Sequence, residues 1–279
     1  MEITSRQNAL IKDIIKLKQK KHRDREGLYF FEGVKLFEEA VEWNLPIKMV
    51  FLTDSGRARF NEAFLKALET ADVKLYTVTE PVMAAMSEQK MPEGVLCVAQ
   101  KPSKWTDKTE MSKIFDEIHK KSEQKTLTCV ILEDVQDPGN VGTIIRTADA
   151  AGFDLVLCSE KTADIYSGKV LRAAMGSVFH LPVIQTDHLK EVVIELKKKG
   201  LFLMGSSLKG CIKMPDGLGK QSSAGLILGN ESKGMSEDLA LLCDVLYKIP
   251  MYGHAESLNV SVASGILMYD LARELKKTD

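Results

Sequence analysis

The chain has 279 residues, of which 44% are hydrophobic and 28% are charged, and its formal net charge at pH 7 is −1. This composition excludes a disordered chain, and the length favours two domains that each bury a core. The near-neutral charge excludes nucleic-acid binding through a uniformly basic surface, so any such binding needs a local basic patch. No apolar run approaches the roughly 20 residues that span a bilayer, and the start lacks a secretion-signal pattern, which predicts a cytoplasmic protein.

Five cysteines are scattered through the chain, and no two of them have C-x-x-C spacing. Cys97, Cys129 and Cys158 lie in strand-like apolar runs, which predicts buried structural thiols. Cys211 and Cys243 complete the set. The pattern indicates neither a disulfide framework nor a zinc site.

A basic cluster occupies residues 6–25, where lysine and arginine outnumber aspartate and glutamate. Leu10, Ile11, Ile14 and Ile15 follow a helical period, which predicts a helix with a buried apolar side and lysines facing solvent. The pattern fits two interpretations equally, a face that is merely solvated and a face that contacts phosphates.

Strand-like and helix-like segments alternate beyond this cluster. Strands are predicted at 28–33, 47–53, 73–79 and 94–100, with helices at 34–43, 58–70 and 81–89, which indicates a small α/β domain over residues 1–105. A polar, charged linker is predicted over 106–125. In the second domain, 126–279, apolar strands are predicted at 127–134, 154–158, 181–184, 201–205, 225–228 and 245–249, with helices at 141–151 and 189–199. Apolar strands separated by helices predict a mostly parallel sheet covered on both faces.

The first of three notable loops follows the strand that begins this second domain. Asp137, Pro138 and Gly139 are typical of a turn, and Asn140 is predicted to cap the helix that follows. Arg146 lies six residues past that cap. A lone arginine at such a position is more often an ordinary surface residue than a functional one.

The other two loops also follow predicted strands. In one, Gly229 and Gly234 permit a tight backbone around the carboxylate of Glu231. In the other, Pro250 ends a strand, and a polar loop leads into a long helix-period segment. Each loop alone is a weak signal, but parallel strands bring their carboxyl ends to one edge of a sheet, so the three loops are expected to form one pocket.

The sequence lacks the motifs that mark several common cofactor-binding and catalytic sites. The loop after Leu132 does not match G-x-G-x-x-G, and the chain contains neither G-x-x-x-x-G-K-[ST] nor H-E-x-x-H. A dinucleotide-dependent oxidoreductase, a phosphate-loop kinase and a zinc metalloprotease are therefore disfavoured.

The three loops resemble the signature motifs of a known family, the SpoU (TrmH-like) RNA ribose 2′-O-methyltransferases of the SPOUT class. The matching residues are Asn140, Gly142 and Arg146 in N-x-G-x-x-x-R, Gly229, Asn230, Glu231 and Gly234 in G-N-E-x-x-G, and Ile249, Pro250, Met251, Ser257, Leu258, Asn259, Val260, Ser261 and Ala263 in I-P-M…S-L-N-V-S-V-A. The first domain resembles, more loosely, the L30e-like RNA-binding domain that precedes the catalytic domain in rRNA-directed members.

The resemblance implies a fold, a cofactor and an assembly. The expected fold is a SPOUT domain, a mostly parallel α/β sheet with a deep trefoil knot, preceded by a smaller L30e-like α/β domain. The cofactor would be S-adenosylmethionine, bound largely by backbone groups of Gly229, Ile249, Met251 and Leu258. The chain would form a homodimer through its C-terminal domain, and no metal is expected, because the sulfonium supplies its own electrophilic charge.

The resemblance also assigns the catalytic residues Arg146, Asn140, Glu231, Ser257 and Asn259. An arginine, with a pKa above about 12, is a poor proton acceptor at neutral pH. The hypothesis is that Arg146 binds the substrate phosphate and ribose and stabilises the developing alkoxide, while the phosphate or water takes the proton. Asn140 and Glu231 would hold Arg146 and the nucleotide, and Ser257 and Asn259 would line the floor.

The substrate predicted in this way is RNA, with 23S rRNA favoured by the sizeable first domain. One alternative is a tRNA 2′-O-methyltransferase. Another is a catalytically silent RNA-binding protein of the same fold, which the complete set of motif residues disfavours.

Overall fold

The structure is a computed structural model that describes residues 2–70, 73–102, 115–116, 127–212, 221 and 223–275. The strands in these ranges are β1 (Glu2–Ile3), β2 (Leu28–Glu32), β3 (Ile47–Leu52), β4 (Lys74–Val78), β5 (Val95–Gln100), β6 (Leu127–Leu132), β7 (Leu155–Ser159), β8 (Val183–Thr186), β9 (Phe202–Cys211), β10 (Ser223–Leu228) and β11 (Val245–Tyr247). The helices are α1 (Ala9–Lys16), α2 (Lys20–Glu26), α3 (Val34–Glu42), α4 (Asp54–Arg57), α5 (Glu62–Thr70), α6 (Glu80–Met86), α7 (Pro138–Ala150), α8 (Gly168–Ala174), α9 (Leu189–Lys198), α10 (Glu237–Ala240) and α11 (Val260–Leu275).

The chain divides into two compact units. The first comprises Met1–Ser103 together with Tyr166–His180, and the second comprises Lys104–Ile165 together with Leu181–Asp279. The predicted linker, 106–125, lies outside the described residues except for two positions. One of these, Phe115, is buried in the core of the second unit.

The first unit contains a mixed five-stranded sheet in the order β1-β4-β3-β5-β2. Successive side chains of a strand point to opposite faces, and β2 shows this directly. Tyr29 and Phe31 join a core on one face, whereas Phe30 joins a separate core on the other face, beside the buried Ile11 and Ile14 of α1. The sheet is therefore covered on both sides.

A short segment from later in the chain completes the first of these cores. Leu171 of α8 is buried there, and the rings of Tyr166 and Phe179 lie 4.7 and 4.9 Å from those of Tyr29 and Phe31. Sequence patterns did not predict α8 or assign it to the first unit. Its apolar residues are few, and their partners lie more than a hundred positions away in the chain.

The second unit contains a six-stranded sheet in the order β11-β9-β10-β6-β7-β8, and all of its strand pairs are parallel. Every residue of β6, β7 and β10 is buried, as expected for central strands covered on both faces. The predicted mostly parallel α/β architecture is confirmed. The deep knot stays a prediction.

Several predicted segments differ from the structure in their bounds. The helix predicted at 58–70 begins only at Glu62, as α5, and the short helix α4 lies before the predicted segment. The strand predicted at 201–205 extends in β9 as far as Cys211. The predicted cap of α7 was also wrong, because the helix begins at Pro138 and its N-cap is Asp137, which accepts a hydrogen bond from the Asn140 backbone N–H at 2.9 Å. Proline suits the first helical position because it has no N–H to satisfy.

The three cysteines predicted to be structural are fully buried in their strands. Burial raises the pKa of the Cys129 and Cys158 thiols to about 12 each.

In the part of the chain that the structure describes, no helix combines the length and apolar character needed to cross a membrane.

Candidate active site

The second unit contains a cavity of about 840 Å³ at the carboxyl edge of its sheet. The residues that line it come from β9, from the end of β10 through the following loop to α10, and from the segment after β11 through the first turn of α11. They are Ser206, Ser207, Leu208, Lys209, Leu228, Gly229, Asn230, Glu231, Ser232, Lys233, Gly234, Met235, Glu237, Ala240, Ile249, Met251, Ser257, Leu258, Asn259, Val260 and Ala263. The second and third predicted loops therefore line one site.

All four residues predicted to bind the cofactor line this cavity, namely Gly229, Ile249, Met251 and Leu258. Three of the five predicted catalytic residues line it as well, namely Glu231, Ser257 and Asn259. Asn140 and Arg146 do not belong to its lining, and each has a different relation to it.

Asn140 connects the first loop to the other two through its side-chain amide. Its Nδ2 donates to Glu231 Oε1 at 3.2 Å, and its Oδ1 accepts from Asn259 Nδ2 at 3.1 Å. These partners lie 91 and 119 residues further along the chain. Because Asp137 caps α7, the side chain of Asn140 is free to make both bonds.

Each end of this chain of hydrogen bonds is also fixed to the backbone. Glu231 accepts from the backbone N–H groups of Gln136 and Asp137 at 3.2 and 3.1 Å. Asn259 Oδ1 accepts from the backbone N–H of Ser261 at 2.8 Å, the arrangement by which an asparagine caps a helix start. Hydrogen bonds among Asn140, Glu231 and Asn259 thus hold the three loops together, and the last two of these residues also line the cavity.

The carboxylate of Glu231 is adapted to this position. Partial burial raises its pKa, but hydrogen bonds from the backbone N–H groups of Asp137, Glu231 and Gln136 and from the Asn140 amide lower it, and the net pKa lies below the ordinary value of 4.5. Hydrogen bonds to the ionised form favour that form. Glu231 is therefore an anchor that stays charged at neutral pH rather than a proton donor.

The loop after β10 is held tightly enough to require glycine at position 229. The backbone N–H groups of Asn230 and Gly234 each donate to the other residue's carbonyl, at 3.0 and 2.9 Å. A Cβ atom on Gly229 would lie 2.2 Å from the backbone nitrogen of Met235. The loop closes on itself directly beside the cavity, and there is no room for a side chain.

Two acidic residues after β6 support these loops, and sequence reasoning missed both. Glu133 accepts from the Ser236 backbone N–H at 2.8 Å, and the carbonyl of Asp134 accepts from Asn230 Nδ2 at 2.8 Å. Asp134 has a left-handed φ of 55°, which Ser159 supports through two hydrogen bonds of 2.8 and 2.7 Å. The sequence feature that could have identified them is the pair of carboxylates directly after an apolar strand.

Arg146 lies on the exposed face of α7. To the described residues it makes no hydrogen bond or ion pair, so the predicted contacts with Asn140 and Glu231 are not formed within one copy of the chain. A fully charged guanidinium is left available to a substrate or to a second copy.

The contribution of the hydrogen bond between Asn140 and Glu231 to stability can be tested by exchanging its donor and acceptor groups. Asn140→Asp should lower the free energy of unfolding by about 1–2 kcal/mol, because it replaces the donor with a second anion facing Glu231. Adding Glu231→Gln should recover most of the loss, since the new amide can donate to the new carboxylate. Urea unfolding of the two single variants and the double variant measures this, and a double variant no more stable than Asn140→Asp would contradict it.

The lowered pKa of Glu231 predicts a pH dependence of stability. A carboxyl group with a depressed folded-state pKa stabilises the fold above its unfolded value, and the contribution is lost as pH falls through the folded value. The difference in unfolding free energy between the chain and Glu231→Gln should be constant above about pH 4.5 and shrink below it. Urea titrations at several pH values between 3 and 7 measure the difference; a difference that stays constant to the acid limit would disprove it.

No group of three or more histidine, cysteine, aspartate or glutamate side chains within the described ranges is arranged to hold a metal ion. The fold and the cavity define an α/β protein with a site of small-molecule size at the carboxyl edge of a parallel sheet and an exposed arginine on a neighbouring helix.

Comparison with known proteins specifies this class. Residues 128–269 match the SpoU rRNA Methylase family, and residues 8–97 match the MRM3-like substrate binding domain. The chain is 35% identical to the 23S rRNA (guanosine(2553)-2′-O)-methyltransferase RlmP of Bacillus subtilis, over 97% of this chain and 98% of the relative. It therefore belongs to the SpoU rRNA methylase family.

Solved structures agree with this assignment. The AdoMet-bound rRNA methyltransferase from Sinorhizobium meliloti superposes with a TM-score of 0.83 at 30% identity, covering 99% of this chain and 98% of that one. The SpoU methyltransferase AviRb from Streptomyces viridochromogenes, in complex with AdoMet, superposes with a TM-score of 0.78 at 26% identity, covering 96% and 98%.

Proposed function

We propose that this chain is an S-adenosylmethionine-dependent methyltransferase that methylates a ribose 2′-OH of rRNA, with 23S rRNA as its substrate. The observation that carries the proposal is the cavity lined by Gly229, Ile249, Met251 and Leu258, within a chain that matches RlmP over nearly its whole length. The relative acts on 23S rRNA, and the similarity extends through both units.

The cavity suits S-adenosylmethionine. Its volume of about 840 Å³ falls within the range of roughly 300–1,000 Å³ that small-molecule sites occupy. Strand ends and loop backbone supply N–H and C=O groups for an adenine edge, and four serines, Ser206, Ser207, Ser232 and Ser257, are among the lining residues. When bound, the cofactor supplies an electrophilic methyl group on a positively charged sulfur.

The protein's own groups then orient and activate the RNA. Asn140, Glu231 and Asn259 keep the three loops in fixed relative positions, so the site is formed before RNA binds. Arg146 binds the phosphate and ribose of the target nucleotide through its planar fork of donors, and its charge stabilises the alkoxide that develops at the 2′-oxygen. The proton passes to the substrate phosphate or to water, because the guanidinium is already protonated.

We propose further that the enzyme is a homodimer in which Arg146 acts in the cavity of the partner subunit. Val262, Ile266 and Tyr269 form an apolar stripe along α11, and they are 52%, 38% and 49% exposed. α11 packs against α7, where Tyr269 donates to the Ala150 carbonyl at 3.5 Å. A second copy would cover this stripe and bring Arg146, which pairs with no described residue, to a cavity that it does not line in its own chain.

Within this proposal the first unit binds the RNA substrate, in keeping with the match of residues 8–97 to a substrate binding domain. The sequence division into an RNA-binding domain at 1–105 and a methyltransferase domain at 126–279 is retained as a functional division. A cytoplasmic location, where rRNA is processed in bacteria, is part of the proposal.

Methyl transfer can be tested with purified protein, radiolabelled S-adenosylmethionine and transcripts of 23S rRNA and tRNA made in vitro. Label should enter the 23S transcript, and mapping should place it on a ribose 2′-oxygen. Calorimetric titration of the cofactor should show binding. Label that enters only tRNA would show that the substrate is tRNA rather than 23S rRNA. A cofactor titration without any heat of binding would contradict the assignment as an enzyme.

A further inference from the structure

The positive charge of the first unit is concentrated at its start. Residues 2–26 contain eight basic and four acidic side chains, a net charge of +4 in a chain whose total is −1. The remaining residues therefore carry −5. A polyanion that binds this chain meets one strongly basic segment, which includes α1 and α2.

Three of the eight basic side chains are used within the fold. Arg6 donates to the Pro81 carbonyl at 3.0 Å, and Lys18 donates to the carbonyls of Ala85 and Ser87 at 3.0 and 2.8 Å. Arg23 is only 4% exposed and donates to the Lys18 carbonyl at 2.8 Å. The bonds of Arg6 and Lys18 tie the residues on either side of α1 to α6 and the residue after it, and the bond of Arg23 holds α2 to the segment that joins it to α1.

The acidic side chains of α1 and α2 are each paired with a base. Asp13 pairs with Lys16 at 2.8 Å and Glu26 with Arg25 at 2.7 Å. Asp24 pairs with Lys101. The acids therefore leave other lysines of the segment without a counter-charge.

The lysines left over are Lys12, Lys20 and Lys21. All three are exposed, and none makes a hydrogen bond or ion pair with a described residue. The lysines of α9 behave differently, since Lys190 and Lys197 pair with aspartates at 2.6 Å. A surface lysine without a carboxylate partner can contact a phosphate without first breaking an ion pair, and the contact releases counterions condensed on the nucleic acid.

We infer that Lys12, Lys20 and Lys21 form a phosphate-contacting surface through which the first unit holds RNA. This inference rests on the proposed function, because it names how that RNA is held. The surface sits on rigid supports, since α1 is anchored by the buried Ile11 and Ile14 and α2 by the buried Arg23. Lysine contacts to phosphate position RNA without reading its sequence.

The experiment measures RNA binding by the full-length protein as a function of salt. The probe is a labelled 23S rRNA transcript made in vitro, and the variant carries Lys12→Gln, Lys20→Gln and Lys21→Gln together. Each lost phosphate contact should reduce the magnitude of the slope of log K against log salt by about 1, so this magnitude should be smaller by about 2 to 3 in the triple variant. At low salt the triple variant should bind the RNA at least about tenfold more weakly.

A matched control carries Lys48→Gln, Lys66→Gln and Lys74→Gln, which remove three exposed lysines elsewhere in the same unit that form no ion pair with the residues described. The control should keep the wild-type slope, and both variants should keep the wild-type melting temperature and cofactor affinity. In multiple-turnover assays the lysine-surface variant should raise KM for RNA and leave kcat unchanged.

Two results would overturn the inference, namely an unchanged slope in the α1–α2 variant or an equal loss in the control. Either leaves the wild-type protein an active RNA methyltransferase. Wild-type protein that neither binds nor methylates any RNA would instead overturn the proposed function, and this inference with it.

Discussion

Replacing Arg146 by alanine should lower kcat for RNA methylation by about 10²–10³-fold, the usual effect of removing one donor that stabilises developing negative charge. Its guanidinium is exposed and has no partner among the described residues, so its loss costs the fold little. Arg146→Lys keeps the charge but loses the fork of donors, and an intermediate rate is expected. Single-turnover methylation measures both, with cofactor affinity and melting temperature as controls.

The outcome also tests the chemical role assigned to Arg146. If Arg146→Lys retained near-normal single-turnover rates, bidentate binding of phosphate and ribose would be disproved, although a simple charge effect would survive. A fall in cofactor affinity as large as the fall in kcat would instead make Arg146 part of the cofactor site.

Mixing two inactive proteins tests whether Arg146 acts across a dimer. One carries Arg146→Ala, and the other carries Gly229→Val, whose side chain would clash with the backbone of Gly234 and Met235 and displace the loop beside the cavity. After joint refolding in equal amounts, half of the dimers are mixed, and each has one intact cavity facing one intact arginine if the residue acts in the partner, so about a quarter of the activity should return. No recovery would contradict the proposal that Arg146 acts in the cavity of the partner subunit.

Gly229→Ala should weaken cofactor binding by about 10- to 100-fold, corresponding to an overpacking cost of roughly 1–3 kcal/mol. The new Cβ atom would lie 2.2 Å from Met235 N and 2.3 and 2.5 Å from the carbonyl carbon and oxygen of Gly234. These are all backbone atoms, so no side chain can rotate away, and the loop beside the cavity must shift. Calorimetric titration with S-adenosylmethionine measures the effect.

Gly253→Ala is the matched control. Gly253 lies in the exposed segment between β11 and α11, and a Cβ atom there meets nothing within 4 Å. Cofactor affinity should therefore stay at the wild-type value. Equal losses in the two variants, or none in Gly229→Ala, would show that the tight backbone at Gly229 does not shape the cofactor site.

Much of the second unit followed from local sequence patterns. Apolar runs such as Leu127–Leu132 predicted the central parallel strands, because strands covered on both faces must be apolar throughout. Glycine, proline and asparagine after those strands marked the loops that border the cavity. These signals are local, since they arise from backbone conformations that few residues allow.

The N-cap of α7 could not be predicted from the local sequence. Asp137 and Asn140 are both good caps, and sequence alone does not decide between them. In the fold, Glu231 and Asn259 lie within hydrogen-bonding distance of the Asn140 side chain, so Asn140 bonds to them and Asp137 caps the helix. The choice depended on residues about a hundred positions away.

The sequence by itself therefore determined most of the strands, the three loops and the family to which they belong, because each is encoded within about a dozen consecutive residues. Only the tertiary structure decided that Asn140 joins Glu231 to Asn259, that β9 supplies a wall of the cavity, and that α8 belongs to the first unit. Those features depend on the order of strands in the sheets and on competition between distant partners for the same hydrogen-bonding groups. Neither the strand order nor this competition can be predicted from any short segment of the sequence.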